Sequence, residues 1–250
     1  NKPEIKGSLD NEQFYKYLDF LGKKGQENQA ILEKMNVPDI DSTKLSKLQK
    51  EQNAINEAVL YYQKELINNF PDLITSRLIK SSMDIEMPEF EGSEEEMQQK
   101  RYYYYMEHFF DNVGLADPAS LRMPFINEKL DTYVNKITPQ VPDSVSKSLD
   151  FVLSKMKPAQ DTYKFYLSYF LNYFAKSKIV GFDAVYVHLV DNYYAKGEAD
   201  WVADENLQQL IEQANKLRPT LIGKEAQDIK VFKRDGSSIS MSDIQSEYLI

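Results

Sequence analysis

The chain has 250 residues, a formal net charge of −9 and no cysteine. Disulfides, thiolate metal sites and cysteine nucleophiles are therefore excluded within it, and the acidity argues against nucleic acid, which needs clustered Lys and Arg. With 42% hydrophobic and 28% charged residues, the composition fits one large globular domain or two smaller ones with a sizeable core.

Residues 1–9 read as a linker and carry no apolar run of the signal-peptide kind. A first helix is expected from about Asp10, with Phe14, Leu18 and Leu21 on its buried stripe. Gly22 and Gly25 should weaken or bend it before Ile31, Leu32 and Met35, and Pro38 ends it. Asp41 or Ser42 can cap a second helix. Its Leu45, Leu48, Gln52, Ile55, Val59, Tyr62 and Leu66 alternate three and four apart, a heptad seam suited to one side of a helical hairpin. A shorter helix over residues 71–83 would have Pro71 in its first turn. Ser93 with Glu96 forms a capping box for the next, which runs through RYYYYMEHFFDN to about Asn112.

Pro118 and Pro124 then punctuate a loop, and a helix over residues 125–137 stops at Thr138-Pro139. Pro142 starts another, with Val145, Leu149, Val152 and Leu153 inward. Two more fill residues 160–178 and 182–195, and a last one, capped by Asp204, carries Leu207, Leu210, Ile211, Ala214 and Leu217 on one face. The most apolar helical stretch, FYLSYFLNYF from Phe165, is about half a membrane span and is broken by Ser168 and Asn172, so no transmembrane segment is expected. After Pro219 the texture changes: residues 228–232 and 238–241 alternate around Asp235-Gly236, a hairpin signal. The expected fold class is mainly α, an irregular multi-helix bundle over residues 10–218 with a short C-terminal β-hairpin within 219–250.

Candidate sites are few. The run Tyr102, Tyr103, Tyr104 and Tyr105 points in four directions on a helix. Its commoner meaning is rings filling a wide helical interface with their hydroxyls wet; the sharper one is exposed tyrosines that stack on sugars or grip a peptide. Phe165, Tyr166, Tyr169, Phe170, Tyr173 and Phe174 cover most of a helix circumference, which predicts a central, enclosed helix. His108 and His188 each have an aspartate three residues on, Asp111 and Asp191, and ion pairing on one helix face is the expectation there. A metal held by the two pairs is the rival, but the Glu-x-x-His signature of di-iron bundles is absent. Nothing nominates a catalytic centre, a cofactor site or a metal site.

The segment LIGKEAQDIKVFKRDGSSISMSDIQSEYLI, residues 221–250, is similar to the entry segment of the thioredoxin-like domain in TlpA-like thiol-disulfide oxidoreductases. The likeness rests on Gly223, Lys224 and Ala226, on Asp235-Gly236, on Ile239 through Ile244, and on Tyr248-Leu249-Ile250 as an opening strand. Gln227 stands where that family usually has proline. The segment HFFDNVGLADPASLRMPFINEKLDTYVNKITPQVPDS resembles a helical domain of unknown function that precedes the thioredoxin-like domain in Gram-negative envelope proteins of the thiol-disulfide isomerase kind, with Met123 where threonine is more usual. The resemblance implies a piece of a periplasmic or envelope oxidoreductase cut before its C-x-x-C motif. In it, the helical part would be non-catalytic and would position the redox domain or select its substrate protein. The implied partners are the chain's own thioredoxin-like domain and an envelope protein substrate. The alternative is an independent, tyrosine-lined helical module for a peptide or glycan.

Overall fold

The computed structural model describes residues 7–123 and 125–245. The mainly α class is observed: among the described residues, nine α-helices precede one two-stranded antiparallel sheet. The opening-strand reading of Tyr248-Leu249-Ile250 lies outside the described residues. The fold divides into two compact units, residues 1–114 and 115–250.

The first unit is built on a hairpin of α1 (Leu9–Met35) and α2 (Ser42–Asn69). Asp41 caps α2, its carboxylate accepting from the Thr43 amide at 3.0 Å. Every residue of the expected α2 seam is buried or half-buried, Leu48 and Leu66 fully, and α1 answers with its own three-four stripe at Asp10, Phe14, Tyr17, Leu21, Lys24, Asn28, Ile31 and Met35. Midway along the hairpin the seam is polar, with Gln52 donating to Asn28 at 3.1 Å. One expectation for α1 is corrected here. Tyr17, not Leu18, faces inward: both keep step with Phe14 and Leu21, but it is Tyr17 that packs with Leu66 of α2 and Ile79, and Leu18 is left exposed. As expected, the helix continues past Gly22 and Gly25 to Met35, since an exposed helical glycine costs only about 1 kcal/mol.

Leu66, Tyr17 and Ile79 form this unit's core, with Leu21, Tyr62, Ile67 and Phe70 packed against it. Ile79 comes from α3 (Ile74–Ser82), which begins after Pro71 and not at it. The cap of α3 arrives from another helix. Asp10 accepts from the Ile74 amide at 2.8 Å and the Thr75 amide at 2.9 Å, supplying what Leu73 at the N-cap cannot. The Ser93–Glu96 capping box opens α4 (Glu94–His108), which ends four residues short of the expected Asn112.

In the second unit, α5 (Ile126–Asp131) passes into a π-helical turn, Thr132–Ile137, and α8 (Asp183–Leu189) into another, Val190–Tyr194. Between them lie α6 (Pro142–Met156) and α7 (Gln160–Ala175). The core is the meeting of α6, α7 and α8: Val145, Leu149, Val152, Leu153, Met156, Leu167, Val185 and Leu189 are all fully buried. Gly181 turns the chain between α7 and α8 at a φ of +87°, and a Cβ there would come within 3.1 Å of Ile222. The last helix, α9 (Asp204–Leu217), starts with Asp204 inside its first turn. Ala203 sits at the cap, so Asp204 favours the positive end of the helix dipole and is not the cap.

Strands β1 (Lys230–Phe232) and β2 (Ser238–Ser240) pair in the register Lys230 to Ser240, Val231 to Ile239 and Phe232 to Ser238. Gly236 takes a φ of +84° after a turn closed by its amide on the Lys233 carbonyl at 3.0 Å. That is a three-residue hairpin loop with its left-handed position at glycine.

Candidate functional site

Helix α7 does not match the expectation of an enclosed helix. Tyr166, Leu167, Phe170, Leu171 and Phe174 are buried, while Phe165, Tyr169 and Tyr173 are 49%, 45% and 39% exposed. An aromatic run that covers a whole circumference must present some rings to water when neighbours cover only one side. These three occur every fourth residue, so they form one row along the helix over about 12 Å. Their rings are near parallel: Phe165 and Tyr169 have centroids 6.5 Å apart at 12°, Tyr169 and Tyr173 6.3 Å apart at 23°.

The row floors a shallow groove of about 650 Å³, with Trp201, Lys164, Ser168, Asn172 and Lys176 completing its lining. Trp201 is the only tryptophan of the chain. It packs edge-on against Tyr163 at 6.1 Å, and the Lys164 ammonium lies 5.1 Å from its ring centre. The segment that carries it is tied to α7 by Glu198, which accepts from the Tyr163 hydroxyl at 2.8 Å and pairs with Lys157 at 2.8 Å. The Lys157 bond is the main reason the Glu198 carboxyl titrates below its ordinary value, helped by Tyr163. Burial, then Glu198, pushes the Tyr163 hydroxyl far up, so it stays a donor at any ordinary pH. The Asn172 amide donates to the Ser168 carbonyl at 2.8 Å, and the Ser168 side chain is hydrogen-bonded to Tyr194.

The tyrosine run of α4 is split between environments. Tyr103 and Tyr105 are exposed, and Tyr102 and Tyr104 are partly covered. Tyr104 stacks on His108 with centroids 4.1 Å apart and lines a second cleft of about 430 Å³, whose charged residues are mixed: Lys64, Lys80, Asp84, Glu86 and Asp111. Burial and the neighbouring Tyr103 raise the Tyr102 hydroxyl.

His108 pairs with Asp111 at 2.5 Å as its spacing predicts. His188 does not pair with Asp191. Its Nε2 meets Asp150 of α6 at 2.8 Å, its Nδ1 meets the Asn192 amide at 3.1 Å, and Asp191 turns to Arg218. The π-helical turn is the cause, because it rotates the residues after Leu189 and brings Tyr193 onto the same Asp150 oxygen. Both His188 nitrogens are thus engaged. Among the described residues no three His, Asp or Glu gather as a metal site would need. Sequence reasoning missed the α7 groove because nothing local told which of its aromatics would be left uncovered.

Among the described residues, no helix is long and apolar enough to cross a membrane. No curated protein and no solved structure matches the chain. One family does match, over residues 41–217, from the cap of α2 to the end of α9. On that match the chain belongs to the family described as a domain of unknown function, DUF5106.

Proposed function

We propose that the chain is the non-catalytic helical part of an exported thiol-disulfide oxidoreductase of the periplasm or envelope, where it positions a thioredoxin-like domain or selects that domain's substrate protein. The observation that carries the reading is the sequence likeness of residues 221–250 to the entry of such a domain. A two-stranded hairpin over residues 230–240 follows the last α-helix after a twelve-residue stretch and is compatible with that reading. A thiolate is the nucleophile in disulfide exchange, and this chain holds no cysteine, so any exchange has to be done by the proposed neighbour. The test is reduction of insulin by the parent polypeptide and by this chain alone. Activity in the parent and none in the chain is expected; a parent with no thiol-dependent activity overturns the reading.

A second reading, a binding module that works without redox chemistry, is favoured by exposed aromatic rings: Tyr103 and Tyr105 on α4, and the row on α7. Saturable binding of a peptide or oligosaccharide by the isolated chain, unaffected by the redox state of its surroundings, is its test.

A further inference from the structure

We propose that the α7 groove is a docking site for an acidic amphipathic helix of a partner polypeptide. The inference rests on the binding reading and is independent of the redox one. Three features select this occupant.

The floor is a row of aromatic faces repeating every fourth residue, about 6 Å per step. Apolar side chains at positions i, i+4 and i+7 of a second helix repeat at nearly the same interval, so a ridge of one can lie along the row of the other. The exposed rings offer apolar area that water covers at a cost, and they are rigid enough to lose little entropy on binding.

The second feature is charge. The whole chain carries −9, yet the charged residues lining this groove are Lys164 and Lys176, twelve positions apart at its two ends. Two cations bracketing an apolar floor complement a ligand with an apolar stripe and carboxylates toward its ends.

The third feature weighs against a glycan. A sugar is held by an array of donors and acceptors around its stacked face, and here the first ring is a phenylalanine, one Asn172 amide proton is taken by the Ser168 carbonyl and the Ser168 hydroxyl is engaged by Tyr194. The groove's lining holds no carboxylate to accept from a sugar's hydroxyls, since both of its charged residues are lysines, and its aromatic row suits the apolar stripe of an amphipathic helix.

Trp201 reports occupancy directly, because it is the only tryptophan and sits in the groove. The probes are a synthetic leucine-faced helical peptide flanked by glutamates, the same peptide flanked by lysines, and an alginate oligosaccharide as the acidic glycan. The expected result is a saturable change in Trp201 emission with the glutamate peptide, weakened about tenfold with the lysine peptide. It should weaken further as salt rises from about 0.05 to about 0.5 M. Tyr169→Ala with Tyr173→Ala should abolish binding while helical circular dichroism persists and the unfolding midpoint falls only slightly, since both rings lie on the outer row of α7 and neither belongs to the buried core. Lys164→Glu with Lys176→Glu should reverse the preference between the two peptides, an outcome that a folding defect could not produce. No saturable binding of the glutamate peptide, equal binding of both peptides, or indifference to the tyrosine substitutions overturns the proposal. Binding of the alginate oligosaccharide in place of the peptide overturns it too, but leaves the binding-module reading standing.

Discussion

The Tyr193 hydroxyl donates to the Asp150 carboxylate at 2.6 Å, on the same oxygen that His188 meets at 2.8 Å. This relationship joins the π-helical turn after α8 to α6 and gives a buried tyrosine its partner. Tyr186, seven residues and about two helical turns earlier, has a buried hydroxyl with no partner among the described residues. The two tyrosines therefore respond oppositely to loss of the hydroxyl. Tyr193→Phe should lower stability by about 1 kcal/mol, the low end for a charged acceptor because the Asp150 side chain is 43% exposed. Tyr186→Phe should leave stability unchanged or raise it, since an unsatisfied polar group leaves the core. Urea midpoints of the two variants check this; a Tyr186→Phe loss as large as that of Tyr193→Phe contradicts it.

Adjacent residues of α1 make a sharper pair. Tyr17 is 8% exposed, sits in the core with Leu66 and receives a hydrogen bond from Gln63 at 2.7 Å, while Leu18 is 43% exposed. Tyr17→Ala should cost about 3 kcal/mol and Leu18→Ala no more than about 0.5 kcal/mol. Thermal unfolding of both variants decides the register of the α1–α2 hairpin.

Stability should fall on the acid side through identifiable carboxylates. Burial alone would raise the Asp10 and Asp150 carboxyls, but hydrogen bonds from Thr75 and Ile74 to the first, and from His188 and Tyr193 to the second, win and hold both below the ordinary value. A carboxyl whose folded pKa lies below its unfolded one stabilises fully above the unfolded value, about 4 for aspartate, and loses that contribution as pH falls through the folded one. Unfolding midpoints measured from neutral pH downward should therefore drop below about pH 4. Asp10→Ala should flatten part of that drop, while costing about 1–2 kcal/mol at pH 7 through the lost cap of α3. An acid limb identical to that of the unaltered chain contradicts the assignment.

The hairpin should be the most easily opened regular structure. Its strands are three residues each, and Phe232 on β1 is 80% exposed. A ribbon of two strands is marginal in water, and regions with little buried apolar surface open first. In hydrogen exchange, the Val231 and Ile239 amides should exchange much faster than that of Phe170, whose side chain is buried in α7. Equal protection in dilute solution contradicts this.

What the sequence made legible was local. The α2 seam, the Asp41 cap, the Ser93–Glu96 box and the Asp235-Gly236 turn depend on residues within a few positions of one another, and each is found in place. What it hid was long-range or set by partial cover. Asp10 caps a helix 64 residues away, and Asp150 takes His188 from 38 residues on. The choice between Tyr17 and Leu18 depends on a second helix. The exposure of Phe165, Tyr169 and Tyr173 depends on which side of α7 its neighbours leave open, so an evenly aromatic helix reads as core until its surroundings are known.

The proposed redox neighbour and the proposed α7 docking row stand on separate observations, and together they predict that this chain selects a protein for that neighbour through the α7 row. The most direct measurement uses the parent polypeptide with its thioredoxin-like dithiol, isolates a client by mixed-disulfide trapping, and compares the reduction of that client with the reduction of insulin. Tyr169→Ala with Tyr173→Ala should lower kcat/KM for the client about tenfold and leave insulin reduction unchanged, a factor that corresponds to about 1.4 kcal/mol of lost binding. Equal rates on the client with and without the two tyrosines would contradict the claim.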